Sequence, residues 1–126
     1  YARSMWKDFF VPFELSDDQL YFTRRCLDIL NDLDVPSYLL WVRVSENLRT
    51  RIDTEPANVG LRPAAEPKTV RQIWEPVMRD MASRHNAGFL DMNFESDFPC
   101  DQFTDASHLS AACFDEFTDY LMQVEP

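Results

Sequence analysis

The residues of this sequence best suited to chemistry are Asp105 and His108, which lie three positions apart near the C-terminal end of the chain. A carboxylate at this spacing can accept a hydrogen bond from one imidazole nitrogen and leave the other nitrogen free to take a proton from a nucleophile. The pair follows a predicted strand and precedes a predicted helix, which is where open α/β sheets hold their sites. The pattern therefore predicts that His108 is a general base oriented by Asp105.

The alternative for His108 is a solvated acidic loop in which the ring only bonds to a neighbour. From Asn86 to the end the chain has nine acidic residues and no Lys or Arg, which is typical of a solvated segment. The other histidine, His85, ends a predicted helix, and a solvated capping role is expected for it.

A second group of candidates follows the first predicted strand. Asn47 and Arg49 lie in a predicted loop over 45–68, which contains three prolines and shows no sustained apolar period. Because the loop leaves the C-terminal end of a strand, these two residues can line a substrate cleft, and arginine suits carboxylate or acidic sugar groups. The alternative is a solvated loop.

Helices and strands alternate around these candidates. The predicted elements are a helix from the capping box at 16–19 to Asp34, a strand over 38–44, the loop over 45–68, a helix from Val70 with a kink or break at Pro76 and a stop at 86–88, a strand over 89–94, and a last helix capped by Ser110. This order predicts an α/β fold with parallel strands joined by crossovers. The continuous apolar run at 38–44 predicts a strand buried on both faces.

Two strands cannot close such a sheet on their own. Residues 1–126 are therefore predicted to form a single partial domain. We expect the remaining strands in a segment N-terminal to Tyr1 or in a partner chain.

Composition excludes several classes of function. The net charge of −10 argues against nucleic acid and anionic lipid as partners. Two glycines cannot form a Walker or dinucleotide-binding loop, so no cofactor is predicted, and no segment has the apolar length of a membrane span. Three cysteines without a Cys-x-x-Cys pair argue against zinc and favour free thiols, with a Cys100–Cys113 bridge as the alternative. No metal site is predicted.

The C-terminal part of the chain resembles SGNH (GDSL-type) hydrolases and the related acyltransferases of cell-envelope polysaccharides. The resemblance lies in FTDASHLSAACFDEFTDYL, preceded by GFLDMNF, and covers mainly residues 70–126, with weaker support from 16–44. In that family an Asp-x-x-His block stands before the last helix of a flavodoxin-like α/β/α sandwich and serves a nucleophilic serine. The block matches Asp105 and His108.

The family's Gly-Asp-Ser block and its oxyanion-hole blocks do not occur in these 126 residues. Among the serines, Ser107 adjoins His108, Ser110 is needed as a cap, and Ser45 is conceivable only on geometry, so none is assigned as the nucleophile.

The resemblance implies the C-terminal part of a flavodoxin-like three-layer sandwich. It also implies a serine esterase or O-acyltransferase acting on an acylated carbohydrate or a small ester. The alternative is a non-catalytic acidic α/β interaction module with a degenerate hydrolase fold. The bacterial cell envelope and the cytoplasm both remain open as compartments.

Overall fold

The computed structural model describes residues 2–60, 66–94 and 96–124, and in these ranges helices alternate with two short strands. The elements are α1 (Ala2–Phe9), α2 (Asp17–Asp32), β1 (Tyr38–Trp41), α3 (Glu46–Thr54), α4 (Val70–Arg84), β2 (Gly88–Asp91), a 3-10 turn (Ala111–Cys113) and α5 (Phe114–Gln123). The predicted α/β character is confirmed.

Strands β1 and β2 pair in parallel, as predicted, with Tyr38 opposite Gly88 and Trp41 opposite Asp91. Each strand has four residues and is shorter than the predicted 38–44 and 89–94. The prediction that the first strand is buried on both faces is wrong for the described residues. All four residues of β1 are partly exposed, because β2 is the only strand that pairs with it there.

Side-chain caps start the two long helices. The hydroxyl of Ser16 accepts from the backbone N–H of Gln19 at the start of α2, as the sequence predicts. Helix α4 begins with a reciprocal capping box of Thr69 and Gln72, which the sequence interpretation missed. Pro76 lies within α4, so the predicted alternative of a helix broken in two is wrong. Pro76 is exposed, and the carbonyl that loses its N–H donor there can be hydrated.

The predicted stop at 86–88 is made by two residues with different tasks. Asn86 adopts the left-handed conformation, with φ of 53°, which asparagine tolerates well. Gly88 is already the first residue of β2, and a Cβ there would overlap the ring of Tyr38. Glycine at this position therefore allows the ring of Tyr38 to lie close to the backbone of β2.

The predicted loop over 45–68 is wrong in its first part, because Glu46–Thr54 forms helix α3. This helix shows only two apolar residues, Leu48 and Ile52, in a polar segment, so its sequence pattern is weak. Both are buried in a core that α1 and α4 complete. Residues 61–65 of the predicted loop lie outside the described ranges.

Two clusters form the core. The first contains Trp6, Val44, Leu48, Ile52, Ala57, Val70 and Ala106. The second contains Met92, Phe98, Cys100 and Cys113. Cys100 and Cys113 form a disulfide in this second cluster, so the favoured prediction of three free thiols is wrong, and Cys26 is the free cysteine of the described residues. The bridge depends on tertiary packing, which brings the two Cα atoms to 5.6 Å.

None of the described helices is long and apolar enough to cross a membrane.

Candidate functional site

Asp105 and His108 are in direct contact. The imidazole Nδ1 lies 2.7 Å from Oδ2 and 2.9 Å from Oδ1 of the carboxylate. The side chain of His108 is 73% exposed, and no hydrogen bond from a described residue reaches its Nε2. The pair therefore has the geometry expected of an oriented base with one open nitrogen.

The loop that carries the pair is fixed by local hydrogen bonds. Oδ1 of Asp105 accepts from the backbone N–H of Ser107 at 2.8 Å and of His108 at 3.0 Å, an arrangement that aspartate favours in turns. The N–H of Thr104 donates to the carbonyl of His108 at 2.9 Å, and this bond joins the two ends of the loop. A short antiparallel bridge joins Phe103 to Leu109. The carboxylate therefore organises the backbone as well as the ring.

These contacts keep the carboxylate ionised. The backbone N–H of Ser107 lowers the pKa of Asp105 most, the imidazole of His108 lowers it further, and the resulting pKa is about 2. Hydrogen bonds to the charged form of a carboxyl group favour ionisation. Asp105 is thus a permanent acceptor at neutral pH, as the orienting residue of a base must be.

The loop is attached to the C-terminal end of the first strand. Ser45, which follows β1 and stands at the start of α3, donates its N–H to the carbonyl of Ala106 at 3.0 Å. Ala106 is buried in the first core cluster. Asp105 and His108 are therefore held at the C-terminal edge of the parallel strands, the edge that the sequence predicts.

Two buried polar residues lie at this edge, Asp91 as the last residue of β2 and Asn93 just after the strand, and the sequence interpretation gave neither a role. Oδ1 of Asn93 accepts from the N–H of Val44 at 2.9 Å, and Nδ2 donates to the carbonyl of Val42 at 3.3 Å. Asp91 in turn accepts from the N–H of Asn93 at 2.8 Å. Their alternation with Leu90 in a predicted strand was the available signal, because alternating polar residues share one face.

Asp91 also belongs to an ion-pair cluster. Arg71 donates to Asp91 and Glu75 at 2.6 Å each and to Asp53 at 2.5 Å, and it stacks on the ring of Trp41. Burial alone would lower the pKa of Arg71, but the three carboxylates raise it. The pairing compensates the buried charge of Asp91, so the cluster joins α3, α4 and β2.

The other predicted site residues lie on α3. Asn47 is exposed in the first turn of this helix. Arg49 is partly buried, and its Nη1 donates to the carbonyl of Asn93 at 3.3 Å. No described hydrogen bond or ion pair joins either residue to His108. Arg49 therefore supports the turn after β2, and a substrate-binding role for both stays a prediction.

The serines near the pair differ in their positions. Oγ of Ser107 lies 3.1 Å from Nδ1 of His108 and 3.0 Å from Oδ1 of Asp105. It is thus on the side of the ring already occupied by the carboxylate, away from the open Nε2. Ser110 caps the 3-10 turn through its hydroxyl, which accepts from Ala112.

Within the described ranges, no group of three or more His, Cys, Asp or Glu side chains could hold a metal ion.

A family model described as "Protein of unknown function (DUF1574)" matches residues 1–124, and the chain therefore belongs to the DUF1574 family. No curated protein and no solved structure gives a significant match. The family description assigns no activity, so the resemblance to SGNH hydrolases stays a prediction.

Proposed function

We propose that this chain is the C-terminal part of an SGNH-type serine esterase or O-acyltransferase that acts on acyl esters of carbohydrates. His108 is the general base and then the general acid, and Asp105 orients it. The observation that carries the proposal is the contact of 2.7 Å between Nδ1 of His108 and the carboxylate of Asp105, on a ring that is 73% exposed.

In this mechanism Nε2 of His108 accepts the proton of a serine hydroxyl as the serine oxygen bonds to the acyl carbon. The same proton then passes from Nε2 to the oxygen of the departing sugar, and the acyl group remains on the serine. Water or a second sugar hydroxyl removes the acyl group by the reverse steps. Asp105 stays ionised throughout, which its pKa of about 2 supports.

The serine and the oxyanion donors come, in this proposal, from a segment or partner chain that adds strands to β1 and β2. The sequence has no Gly-Asp-Ser block, and its glycines are Gly60 and Gly88. All four residues of β1 are partly exposed, which leaves room for further strands and helices to cover them. The completed fold would be a flavodoxin-like sandwich.

The disulfide supports an oxidising compartment for this protein. Cys100 and Cys113 are both buried in the second core cluster, and structural disulfides persist mainly in secreted and periplasmic proteins. This location agrees with a substrate in the bacterial cell envelope.

The test is turnover of a p-nitrophenyl acetate ester and of an O-acetylated polysaccharide by the full-length protein. His108→Ala should lower kcat by roughly 10³-fold or more, with KM little changed, because the base acts in the transition state. Asp105→Asn should lower kcat on the order of 10²- to 10⁴-fold. The matched control is His85→Ala, which removes the other histidine that is paired with an aspartate and should retain activity. Full activity in the His108→Ala protein would overturn the proposal.

The 126-residue chain on its own should not hydrolyse p-nitrophenyl acetate above background, because it lacks the nucleophile block. Hydrolysis that disappears in His108→Ala would place the nucleophile among the serines of this chain. An inactive full-length protein that folds normally would favour the non-catalytic interaction module.

A further inference from the structure

One side of α2 presents apolar side chains to solvent. Phe22 is 65% exposed, Ile29 is 51% exposed and Leu33, the residue that caps the end of α2, is 67% exposed, and Cys26 is also exposed. By contrast, Leu27 on the inner side of the helix is buried. Single exposed apolar residues are common, but a contiguous row of them marks an interaction surface.

The row has the spacing of a helix-pairing seam. Positions 22, 26, 29 and 33 are separated by four, three and four residues, which is the alternation of the two core positions of a heptad. Leu20, Leu27 and Leu30 form the inner face of α2 that covers its own domain, so the exposed row is an additional apolar surface of this helix. The seam therefore fits one partner helix laid along α2.

Charges beside the seam favour a second copy of the same helix in the antiparallel direction. Arg25 and Asp32 lie along one edge of the seam, and both are exposed. Arg25 also pairs with Asp28 of its own helix at 3.3 Å, and such an exposed pair is weak enough to exchange for a partner's carboxylate. A twofold axis through the middle of the seam sets Arg25 against the partner's Asp32, and this contact occurs twice. In a parallel pair Arg25 would instead face the partner's Leu30, with no ion pair.

We propose that α2 is the docking surface for a second copy of this chain, packed antiparallel so that Phe22 faces the partner's Leu33 and Cys26 faces the partner's Ile29. The proposal is independent of the proposed catalytic function. It rests on the exposure of the seam, its spacing and the complementary charges at its edge.

Sedimentation velocity over a micromolar concentration series tests the proposal. The full-length protein should form a dimer, and Ile29→Glu should weaken the dimer at least about tenfold, because it places an unpaired charge in the seam. The matched control is Met122→Glu, an apolar-to-charged change at an exposed position of α5, which should leave the dimer intact. A full-length protein that stays monomeric at every concentration would overturn the proposal.

Two further variants test the orientation and do not depend on an apolar-to-charged change. Arg25→Asp should weaken the dimer, and combining it with Asp32→Arg should restore it. Ile29→Cys should give a covalent dimer with Cys26 on mild oxidation, while Tyr21→Cys should not. Failure of the charge swap to restore the dimer, or equal cross-linking from position 21, would overturn the antiparallel pairing.

Discussion

Two histidine–aspartate pairs lie at opposite ends of the parallel strands, and they are built differently. His108 and Asp105 belong to one short loop at the C-terminal edge, and the ring is 73% exposed. His85 and Asp28 come from α4 and α2, their Nδ1 to Oδ1 distance is 2.9 Å, and the side chain of His85 is 18% exposed. An open ring on a fixed loop is available to a substrate, whereas an enclosed ring between two helices serves the fold.

The enclosed pair also corrects the prediction of a solvated capping role for His85. The residue does end α4, where its N–H donates to the carbonyl of Ala82, but its ring reaches across to α2. A second bond joins the same two segments, from Nδ2 of Asn86 to Oδ1 of Asn31 at 3.0 Å. Because Leu27 is the one buried residue of α2, these polar contacts help to hold that helix on the domain.

Reducing the disulfide should destabilise the C-terminal edge of the strands, where His108 lies, much more than the opposite edge, where His85 lies. The bridge between Cys100 and Cys113 spans 13 residues that include the Asp105–His108 loop. A closed loop of about this length is worth roughly 3 kcal/mol of unfolding free energy. Hydrogen exchange with reductant should show lost protection around residues 101–112 and retained protection around His85. An equal loss of protection around residues 101–112 and around His85 would show that the disulfide supports the whole fold. The control is Cys26→Ser, which should leave protection unchanged at both places.

Removing the amide of Asn93 should destabilise the C-terminal edge. Asn93→Ala leaves the buried N–H of Val44 without its acceptor, which should lower the unfolding free energy by about 1–3 kcal/mol. Urea denaturation measures this loss, and NMR should show shifted amides at Val44 and in the His108 loop. Asn47→Ala, on the exposed face of α3, is the control and should change stability by less than about 0.5 kcal/mol. An unchanged midpoint for Asn93→Ala would contradict its role.

His85→Ala should lower stability more than His108→Ala does, whereas only His108→Ala should abolish activity. His85→Ala removes a partly buried link between α2 and α4 and should cost about 1 kcal/mol of unfolding free energy. His108→Ala removes an exposed ring and should cost less than about 0.5 kcal/mol. Thermal melts of the two variants measure the difference. A larger stability loss for His108→Ala would assign the exposed pair a structural role.

The smallest expected effect is the titration of Asp105. Its pKa is lowered from 3.8 to about 2, so its contribution to stability is complete above about pH 4 and is lost as the pH falls towards 2. NMR titration of the Asp105 carboxyl carbon should give a midpoint near 2. His108→Ala should raise this pKa only in part, because the N–H of Ser107, the largest cause of the lowering, remains. A midpoint close to 3.8 would mean that the loop does not hold its hydrogen bonds in solution.

The sequence predicts the features that depend on neighbouring residues. The Ser16 cap of α2 follows from local pattern. The contact of Asp105 with His108 follows from a spacing of three residues, because a turn brings such neighbours together whatever surrounds them. The parallel direction of β1 and β2 follows from the helix between them, since a crossover must return the chain to the same end of the sheet.

Tertiary structure decides the features that depend on distant residues. Helix α3 has only Leu48 and Ile52 as apolar residues, so its burial requires α1 and α4 to pack on it. The His85–Asp28 pair and the hydrogen bonds of Asn93 join segments far apart in the chain, and the disulfide joins two cysteines across an irregular loop of 13 residues. The local sequence pattern does not show which distant residues come into contact, because the packing of the whole domain sets the distances between them. The sequence alone therefore determined an aspartate-oriented histidine before the last helix, at the C-terminal edge of the strands, and the tertiary structure decided which distant groups hold it there.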